Sequence, residues 1–158
     1  MKLNELVPEG AITTNLHSTQ RDDVIGEMVD LLIASGAVQP GGRDELIKKI
    51  LDREQKGSTG FGRGVAVPHV KLAAVTRMAV AIGLSKTGID FNALDHQPVY
   101  TIFLLLSPID RPEEHLQAMV AIFNQLGKQS FRHQLRLAET VEDVRALLSE
   151  VDSQQVVG

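Results

Sequence analysis

The sequence contains no cysteine and no tryptophan, and only 4% of its 158 residues are aromatic. Without cysteine the chain forms no disulfide bond, thiolate zinc site, iron–sulfur cluster or thiol nucleophile, and a reducing compartment is expected. Basic and acidic residues are nearly balanced, with 16 Lys and Arg against 20 Asp and Glu, and no block of one sign stands out. A nucleic-acid-binding surface is therefore not expected.

Long hydrophobic runs are also missing. The longest apolar stretch, Ile102 to Leu106 with its neighbours, is far shorter than the roughly 20 residues that a membrane-spanning helix needs. At the N-terminus, Lys2 is not followed by the apolar run of a signal peptide. We therefore expect a soluble cytoplasmic protein that does not insert into a membrane.

The overall composition is that of a folded protein. Hydrophobic residues make up 43% of the chain and charged residues 23%, which are ordinary values for a globular domain. The sequence shows no internal repeat and no Pro/Gly/Ser-rich linker. The length predicts a single domain over residues 1–158 with one sizeable core.

Apolar spacing predicts helices and strands in alternating groups. Helices are expected over residues 22–35 (capped by Ser18 or Thr19), 43–55, after Pro112, 130–138 and from Thr140 onward. Strands are expected over residues 11–16, 65–67, 78–84 and 99–106. The buried stripe of the helix after Pro112 is predicted to consist of Leu116, Met119, Val120, Phe123 and Leu126. Helices before and after the strands predict an α/β fold, a single compact domain with a mixed β-sheet flanked by helices on both faces.

Residues 57–64 hold four glycines in eight positions, a density that predicts no regular structure. The spacing does not match a P-loop or a dinucleotide-binding fingerprint, so nucleotide binding is not favoured. Two interpretations remain open, namely a flexible surface loop and a bare surface that another backbone can approach closely.

His69 follows this segment directly after Pro68, whose ring fixes the backbone just before the imidazole. A partly unprotonated imidazole can act as a nucleophile near neutral pH without a strong neighbouring base. From the residues alone, His69 is either such a nucleophile or an ordinary loop residue.

The segment from Arg53 to His69 closely resembles the phosphorylation-site signature of the type-2 enzyme IIA domain, the mannitol/fructose family of the phosphoenolpyruvate-dependent phosphotransferase system. Residues 91–99 look most like the nitrogen-regulatory branch of that family. The resemblance covers about residues 3–150 and so implies no fused transporter or IIB domain. It implies a phosphotransferase without a cofactor. The histidine at the position of His69 would accept a phosphoryl group from an HPr-type carrier, then pass it to a IIB domain or hold it as a signal.

The resemblance also implies roles for other residues. His115 would face His69 and donate a hydrogen bond to the phosphoryl group, and Arg53 would orient the active loop and pair with the phosphate. Each has a structural alternative, an edge-of-core histidine and a helix-terminal cation. Ser58 and Thr59 would donate hydroxyl hydrogen bonds to the phosphate, or satisfy loop carbonyls instead.

One departure from the family pattern lies beside the active histidine. Relatives usually carry a small residue after it, whereas this chain has Val70, a β-branched residue that disfavours positive φ. We expect a docking partner to contact Gly62, Gly64 and Val70, and Val70→Gly to speed transfer from the carrier.

Two functions from different classes remain open. The first is a phosphoryl carrier, and the second is a regulatory module whose docking on target proteins depends on its phosphorylation state. No metal site is predicted, since the histidines are not at ligand spacing; His17, His96 and His133 are expected on the surface or in turns.

Overall fold

A computed structural model describes the backbone of residues 1–157 and the side chains of residues 1–154. The helices are α1 (Leu3–Leu6), α2 (Arg21–Ala34), α3 (Arg43–Lys56), α4 (Pro112–Leu126), α5 (Gln129–Leu137) and α6 (Val141–Val157), with a 3₁₀ turn at Pro40–Gly42. The strands are β1 (Ile12–Thr13), β2 (Gly60–Gly62), β3 (Val65–Ala66), β4 (His69–Leu72), β5 (Ala79–Ile89) and β6 (Val99–Pro108). Within the described residues, no helix is long and apolar enough to cross a membrane.

The six strands form one mixed sheet in the order β1-β5-β6-β3-β2, with β4 also paired to β6. Strand β5 runs antiparallel to β6, and β1 runs parallel to β5. Strands β3 and β4 both run parallel to β6, and β2 returns antiparallel to β3. This arrangement confirms the predicted mixed sheet.

Strands β3 and β4 share the edge of β6 that β5 leaves open. Strand β3 pairs with Thr101 and Ile102, whereas β4 pairs with residues 105–108. Pro68 lies between the two short strands; it has no N–H to donate, but its carbonyl accepts a hydrogen bond from the Leu105 N–H at 2.9 Å. The interruption by Pro68 therefore ends one strand and starts the next with His69 opposite Leu105.

Helices cover both faces of the sheet, as the sequence predicted. Helices α2 and α3 pack on each other and on β5 and β4, respectively. Helices α1, α4, α5 and α6 contact one another, and α4 and α5 contact β6. Apolar residues at helical spacing in α2 and α6 are buried in the core; they include Val24, Ile25, Met28, Leu32, Val144, Leu148 and Val151.

Some local predictions were wrong. The residue before α2 is Gln20, which makes no side-chain capping bond, and neither Ser18 nor Thr19 caps that helix. The glycine-rich segment was expected to have no regular structure, but it contains β2, in which Gly60 and Gly62 pair with Ala66 and Val65 of β3. Helix α6 begins with a capping box, since Thr140 Oγ1 accepts a hydrogen bond from the Asp143 N–H at 3.1 Å and Asp143 accepts one from the Thr140 N–H.

The buried face of α4 also differs from the prediction. Leu116 is 64% exposed and Val120 is 51% exposed. Leu126 is buried as predicted, and Met119 and Phe123 pack partly buried against the core. The other buried residues of α4 are His115, Ala118, Ile122 and Gln125. Helix α4 is apolar around most of its circumference, so its periodicity allowed either face. The buried face is the one that carries His115.

Candidate functional site

His69 begins β4, and its imidazole is half-buried. Its Nδ1 lies 2.8 Å from the carbonyl oxygen of Val67. Since a carbonyl can only accept, Nδ1–H donates this hydrogen bond, and the neutral ring keeps a lone pair on Nε2. Burial lowers the pKa of His69 below its ordinary value of 6.5, and the charge of Arg53 lowers it further, although the Val67 hydrogen bond opposes the shift. His69 is therefore a neutral imidazole with a nucleophilic Nε2 at neutral pH.

His115 lies beside it on the first turn of α4. The two ring centroids are 5.6 Å apart, and the rings are tilted by 49°. The side chain of His115 is buried, and its Nδ1 lies 2.7 Å from Ser107 Oγ on β6. Burial, together with the nearby His69 and Lys71, lowers the pKa of His115 to about 4. The structure therefore brings together the two histidines, and it keeps His115 neutral.

Arg53 connects the last turn of α3 to the glycine-rich segment. Its Nη1 donates a hydrogen bond to the Gly57 carbonyl at 2.9 Å, and its charge is close enough to lower the pKa of His69. The guanidinium thus binds the backbone at the start of the loop. Its pairing with a phosphate stays a prediction.

The two hydroxyl residues of the loop are already engaged. Ser58 Oγ accepts a hydrogen bond from the Gly60 N–H at 3.0 Å. The fully buried Thr59 hydroxyl donates to the Glu54 carboxylate, which also accepts the Thr59 N–H at 3.1 Å. Because a hydroxyl has one hydrogen, the Thr59 hydroxyl has this carboxylate as its partner, rather than a phosphate or a loop carbonyl. Sequence reasoning missed Glu54. Acidic residues near a helix end are usually exposed to solvent, so the sequence gives no sign that this one is buried.

The glycines of the segment make room for the protein's own chain. A Cβ at Gly60 would lie 2.8 Å from Ala93 Cβ, and a Cβ at Gly62 would lie 3.2 Å from an Asp95 carboxylate oxygen. Gly62 and Gly64 also adopt φ of 111° and 78°, which glycine tolerates best. The sequence predicted that another backbone approaches this segment closely. Residues 93–95 of the same chain do so at Gly60 and Gly62, and Gly62 is buried.

We expect Gly60→Ala to lower the free energy of unfolding by about 1–3 kcal/mol, because the added methyl group overpacks the contact with Ala93. Gly57→Ala is the matched control, since a Cβ there meets no atom within 4 Å and its φ of 168° is extended backbone. Urea unfolding should place Gly57→Ala within about 1 kcal/mol of wild type. Equal stability of the two variants would show that the Ala93 contact does not constrain the loop.

Val70 follows His69 in β4 and pairs with Leu106. Its φ does not lie in the left-handed region, so its β-branched side chain fits the strand without strain. Successive side chains of a strand point to opposite faces, which places Val70 opposite the imidazole, where it packs partly buried against the core. The backbone at Val70 thus does not need the positive φ that a β-branched residue disfavours. The faster transfer expected of Val70→Gly stays a prediction, and it now depends only on the bulk of the side chain toward a partner.

Three exposed apolar side chains lie on α4 or on segments that contact α4 or β4, the two elements that carry the histidine pair. Phe61 in β2 is 48% exposed and packs its ring edge-on against Phe123 of α4. Ile109 follows the end of β6, and its N–H donates to the carbonyl of Leu72 in β4. Leu116 is the neighbour of His115 in α4. We call Phe61, Ile109 and Leu116 the apolar rim.

The remaining histidines lie elsewhere on the surface. His17, His96 and His133 are exposed, and His96 has a φ of 59° in a turn. In the part of the chain that the structure describes, no three His, Asp or Glu side chains are grouped so that they could hold a metal ion.

Comparisons with known proteins agree on one family. The family model described as "Phosphoenolpyruvate-dependent sugar phosphotransferase system, EIIA 2" matches residues 5–151. The fructose-specific EIIABC component of Bacillus subtilis (strain 168) is 34% identical over 152 residues, which cover 96% of this chain and 24% of that protein. The chain thus spans about a quarter of the length of this relative.

Solved structures of the same family share the fold. The nitrogen regulatory protein IIA-Ntr of Neisseria meningitidis superimposes with a TM-score of 0.83 at 29% identity, covering 92% of this chain and 98% of that chain. The mannitol IIA enzyme of Escherichia coli, in its complex with phosphorylated IIB, superimposes with a TM-score of 0.75 at 22% identity. That match covers 91% of this chain and 97% of the other, and it concerns the fold alone.

Proposed function

Because this chain belongs to the EIIA type-2 family of the phosphoenolpyruvate-dependent sugar phosphotransferase system, we propose that it carries a phosphoryl group on Nε2 of His69. The observation that carries the proposal is the hydrogen bond from His69 Nδ1–H to the Val67 carbonyl. It fixes the tautomer and leaves the lone pair on Nε2. The nearby His115 is the second residue of the proposed site, as a hydrogen-bond donor to the phosphoryl group.

The transfer step is determined by this tautomer. The Nε2 lone pair attacks the phosphorus of the donor, a P–N bond forms to His69, and the leaving group of the carrier departs in line with the bonding electrons. The proton on Nδ1 stays in its hydrogen bond to Val67, whose carbonyl stabilises the positive charge that develops on the ring. No base has to remove a proton from His69, since the attacking nitrogen carries none.

His115 and Arg53 would stabilise the charge that arrives with the phosphoryl group. A neutral imidazole 5.6 Å away, centroid to centroid, can donate one hydrogen bond to a phosphoryl oxygen. Arg53 acts on His69 as a positive charge and can offset the negative phosphoryl oxygens. Ser58 lies in the same loop, and we retain it as a support of the phosphate site.

The expected partners are proteins. Members of this family pair with IIB domains, as the mannitol IIA enzyme of Escherichia coli does in its complex. The donor would be an HPr-type carrier, and the surface it meets would include the apolar rim and the exposed parts of the glycine-rich loop near Gly64. Exposed Phe61 and Leu116 favour a protein partner, since burial of such side chains drives association.

A regulatory role is the second candidate function. The match to a nitrogen regulatory protein over 92% of this chain favours it, whereas the fructose-specific relative favours sugar transport. The two functions differ in the step after phosphorylation, which is onward transfer to a IIB domain in one and altered docking on a target protein in the other.

Incubation with phosphoenolpyruvate, enzyme I and an HPr-type carrier tests the proposal. We expect the intact mass to rise by one phosphoryl group, and the adduct to be labile in acid because a protonated phosphoramidate nitrogen leaves readily. The His69→Ala variant should gain no mass. An acid-stable adduct, or full labelling of His69→Ala, would overturn the assignment.

The docking surface has its own test. Leu116→Ser should slow transfer from the carrier about three- to tenfold, because it removes apolar area that the partner buries. Leu137→Ser is the matched control, since Leu137 is 65% exposed against 64% for Leu116. Leu137 ends α5, whose Arg136 stacks on Tyr100 at the opposite end of β6 from the histidines. Equal rates in the two variants would remove Leu116 from the docking surface.

A further inference from the structure

Ser107 is a buried polar residue on β6 that has no role in the proposed transfer step. Its side chain is fully buried, and its Oγ lies 2.7 Å from His115 Nδ1. Ser107 pairs with Lys71, two positions along from the pair of Leu105 and His69. Paired positions two apart share one face of a sheet, so Ser107 and His69 lie on the same face.

The direction of the hydrogen bond between Ser107 and His115 follows from which of the two groups has another acceptor for its hydrogen. In the part of the chain that the structure describes, His115 Nδ1 is the one hydrogen-bond partner of the Ser107 hydroxyl. If Nδ1–H donated to Ser107, the buried hydroxyl hydrogen would have no acceptor, an arrangement that proteins avoid. Ser107 therefore donates to Nδ1, and His115 carries its hydrogen on Nε2.

This direction matters because His115 is neutral. Burial keeps its pKa at about 4, so at neutral pH the ring has one N–H rather than two. An imidazolium could donate from both nitrogens whatever Ser107 did. A neutral ring donates only from the nitrogen that its neighbour leaves protonated.

We propose that Ser107 is a positioning residue that holds His115 in the Nε2–H tautomer, so that the ring presents a hydrogen-bond donor to a phosphoryl group on His69. This inference rests on the proposed function for its effect on transfer, but the tautomer itself does not. Val67 and Ser107 then set the two rings in opposite tautomers: His69 offers a lone pair on Nε2, and His115 offers a hydrogen on Nε2.

Nitrogen-15 NMR of the unphosphorylated protein at pH 7 tests the tautomer directly. We expect a protonated Nε2 and an unprotonated Nδ1 for His115, and the reverse for His69, with signals assigned from His69→Gln and His115→Gln. In Ser107→Ala, His115 should shift toward a mixture of tautomers. Ser85→Ala is the matched control, because Ser85 is also a buried strand serine, and its Oγ accepts one hydrogen bond, from the Gly88 N–H.

Transfer rates test the consequence. Ser107→Ala should slow transfer onto His69 about three- to tenfold, less than the loss of the whole His115 ring. Ser85→Ala should transfer at the wild-type rate, and Ser107→Thr, which keeps the hydroxyl, should restore most of the rate. In a His115→Ala background, Ser107→Ala should have little further effect on the rate, since Ser107 acts through that ring.

Distinct results separate the role of Ser107 from the function of the site. A protonated Nδ1 on His115 in the wild type, or an unchanged tautomer and rate in Ser107→Ala, would overturn the role of Ser107. If Ser107→Ala does not fold, the role of Ser107 is tested by the tautomer of His115 in the wild type and by the transfer rate of Ser107→Thr. A wild-type protein with the expected tautomers that accepts no phosphoryl group would contradict the proposed function instead.

Discussion

We expect His115→Ala to accept a phosphoryl group on His69 about ten- to hundredfold more slowly than the wild type. The variant loses one hydrogen bond to a charged group, about 1.5–3 kcal/mol, and each ~1.4 kcal/mol corresponds to tenfold in rate. Arg53→Ala should slow transfer over the same range, since its charge acts on His69. Quench-flow or rapid mixing with labelled HPr-type carrier measures both rates.

The effect of His115→Ala on transfer has to be separated from its effect on folding. His115 lies on the buried face of α4, so its removal also leaves the Ser107 hydroxyl without a partner and should reduce stability. The apolar pattern of the sequence placed His115 outside the buried stripe, but the structure buries it, so His115→Ala is expected to unfold more easily than the wild type. Rates must be compared at temperatures where the variant is folded. His133→Ala removes an exposed histidine of α5 and should transfer at the wild-type rate. If His115→Ala and Arg53→Ala match it, both residues are structural only.

The second large effect is a loss of stability between pH 6.5 and pH 4. The unfolded chain protonates His115 near its ordinary pKa of 6.5, whereas the folded protein does so at about 4. As pH falls through this window the unfolded state takes up a proton that the folded state does not, so the free energy of unfolding decreases. The contribution of His115 is about 3 kcal/mol in total, at ~1.4 kcal/mol per pKa unit. His69, whose pKa is also lowered, acts in the same direction.

Urea unfolding at several pH values checks this linkage. His115→Gln cannot titrate, and its amide oxygen can still accept from Ser107, so it should lose the part of the slope that belongs to His115. Glu27 and Asp143 also have lowered pKa values, but their ordinary values are 4.5 and 3.8. Their contributions are lost mainly below the window in which histidine titrates. An unchanged slope in His115→Gln would show that burial does not depress the pKa of this ring.

The order of the elements could be predicted because their apolar patterns are strong. Residues 79–84 of β5 and 102–106 of β6 are largely apolar runs buried on both faces, and Pro68 and Gly36 interrupt the chain where strands or helices end. The motif from Arg53 to His69 was sufficient to indicate the family, which the match over residues 5–151 confirms.

The arrangement within the site could not be predicted, because it depends on long-range partners. The buried face of α4 carries His115, whose polar side chain is paired with buried Ser107. An apolar pattern assigns such polar residues to the surface. Likewise, glycine is needed at position 60 because Ala93 leaves no room for a side chain there. Ala93 is more than thirty positions away in the sequence, so the glycine spacing does not reveal this contact. A buried carboxylate such as Glu54 is recognisable only once its partner Thr59 is placed.

The most direct test of the central claim is the position of the phosphoryl group on the imidazole. Phosphorus-31 and nitrogen-15 NMR of the protein after incubation with phosphoenolpyruvate, enzyme I and an HPr-type carrier distinguishes the two ring nitrogens. The hydrogen bond from Nδ1–H to Val67 predicts Nε2-phosphohistidine at position 69, with Nδ1 still protonated. A phosphoryl group on Nδ1 of His69, or on any other residue, would contradict the account.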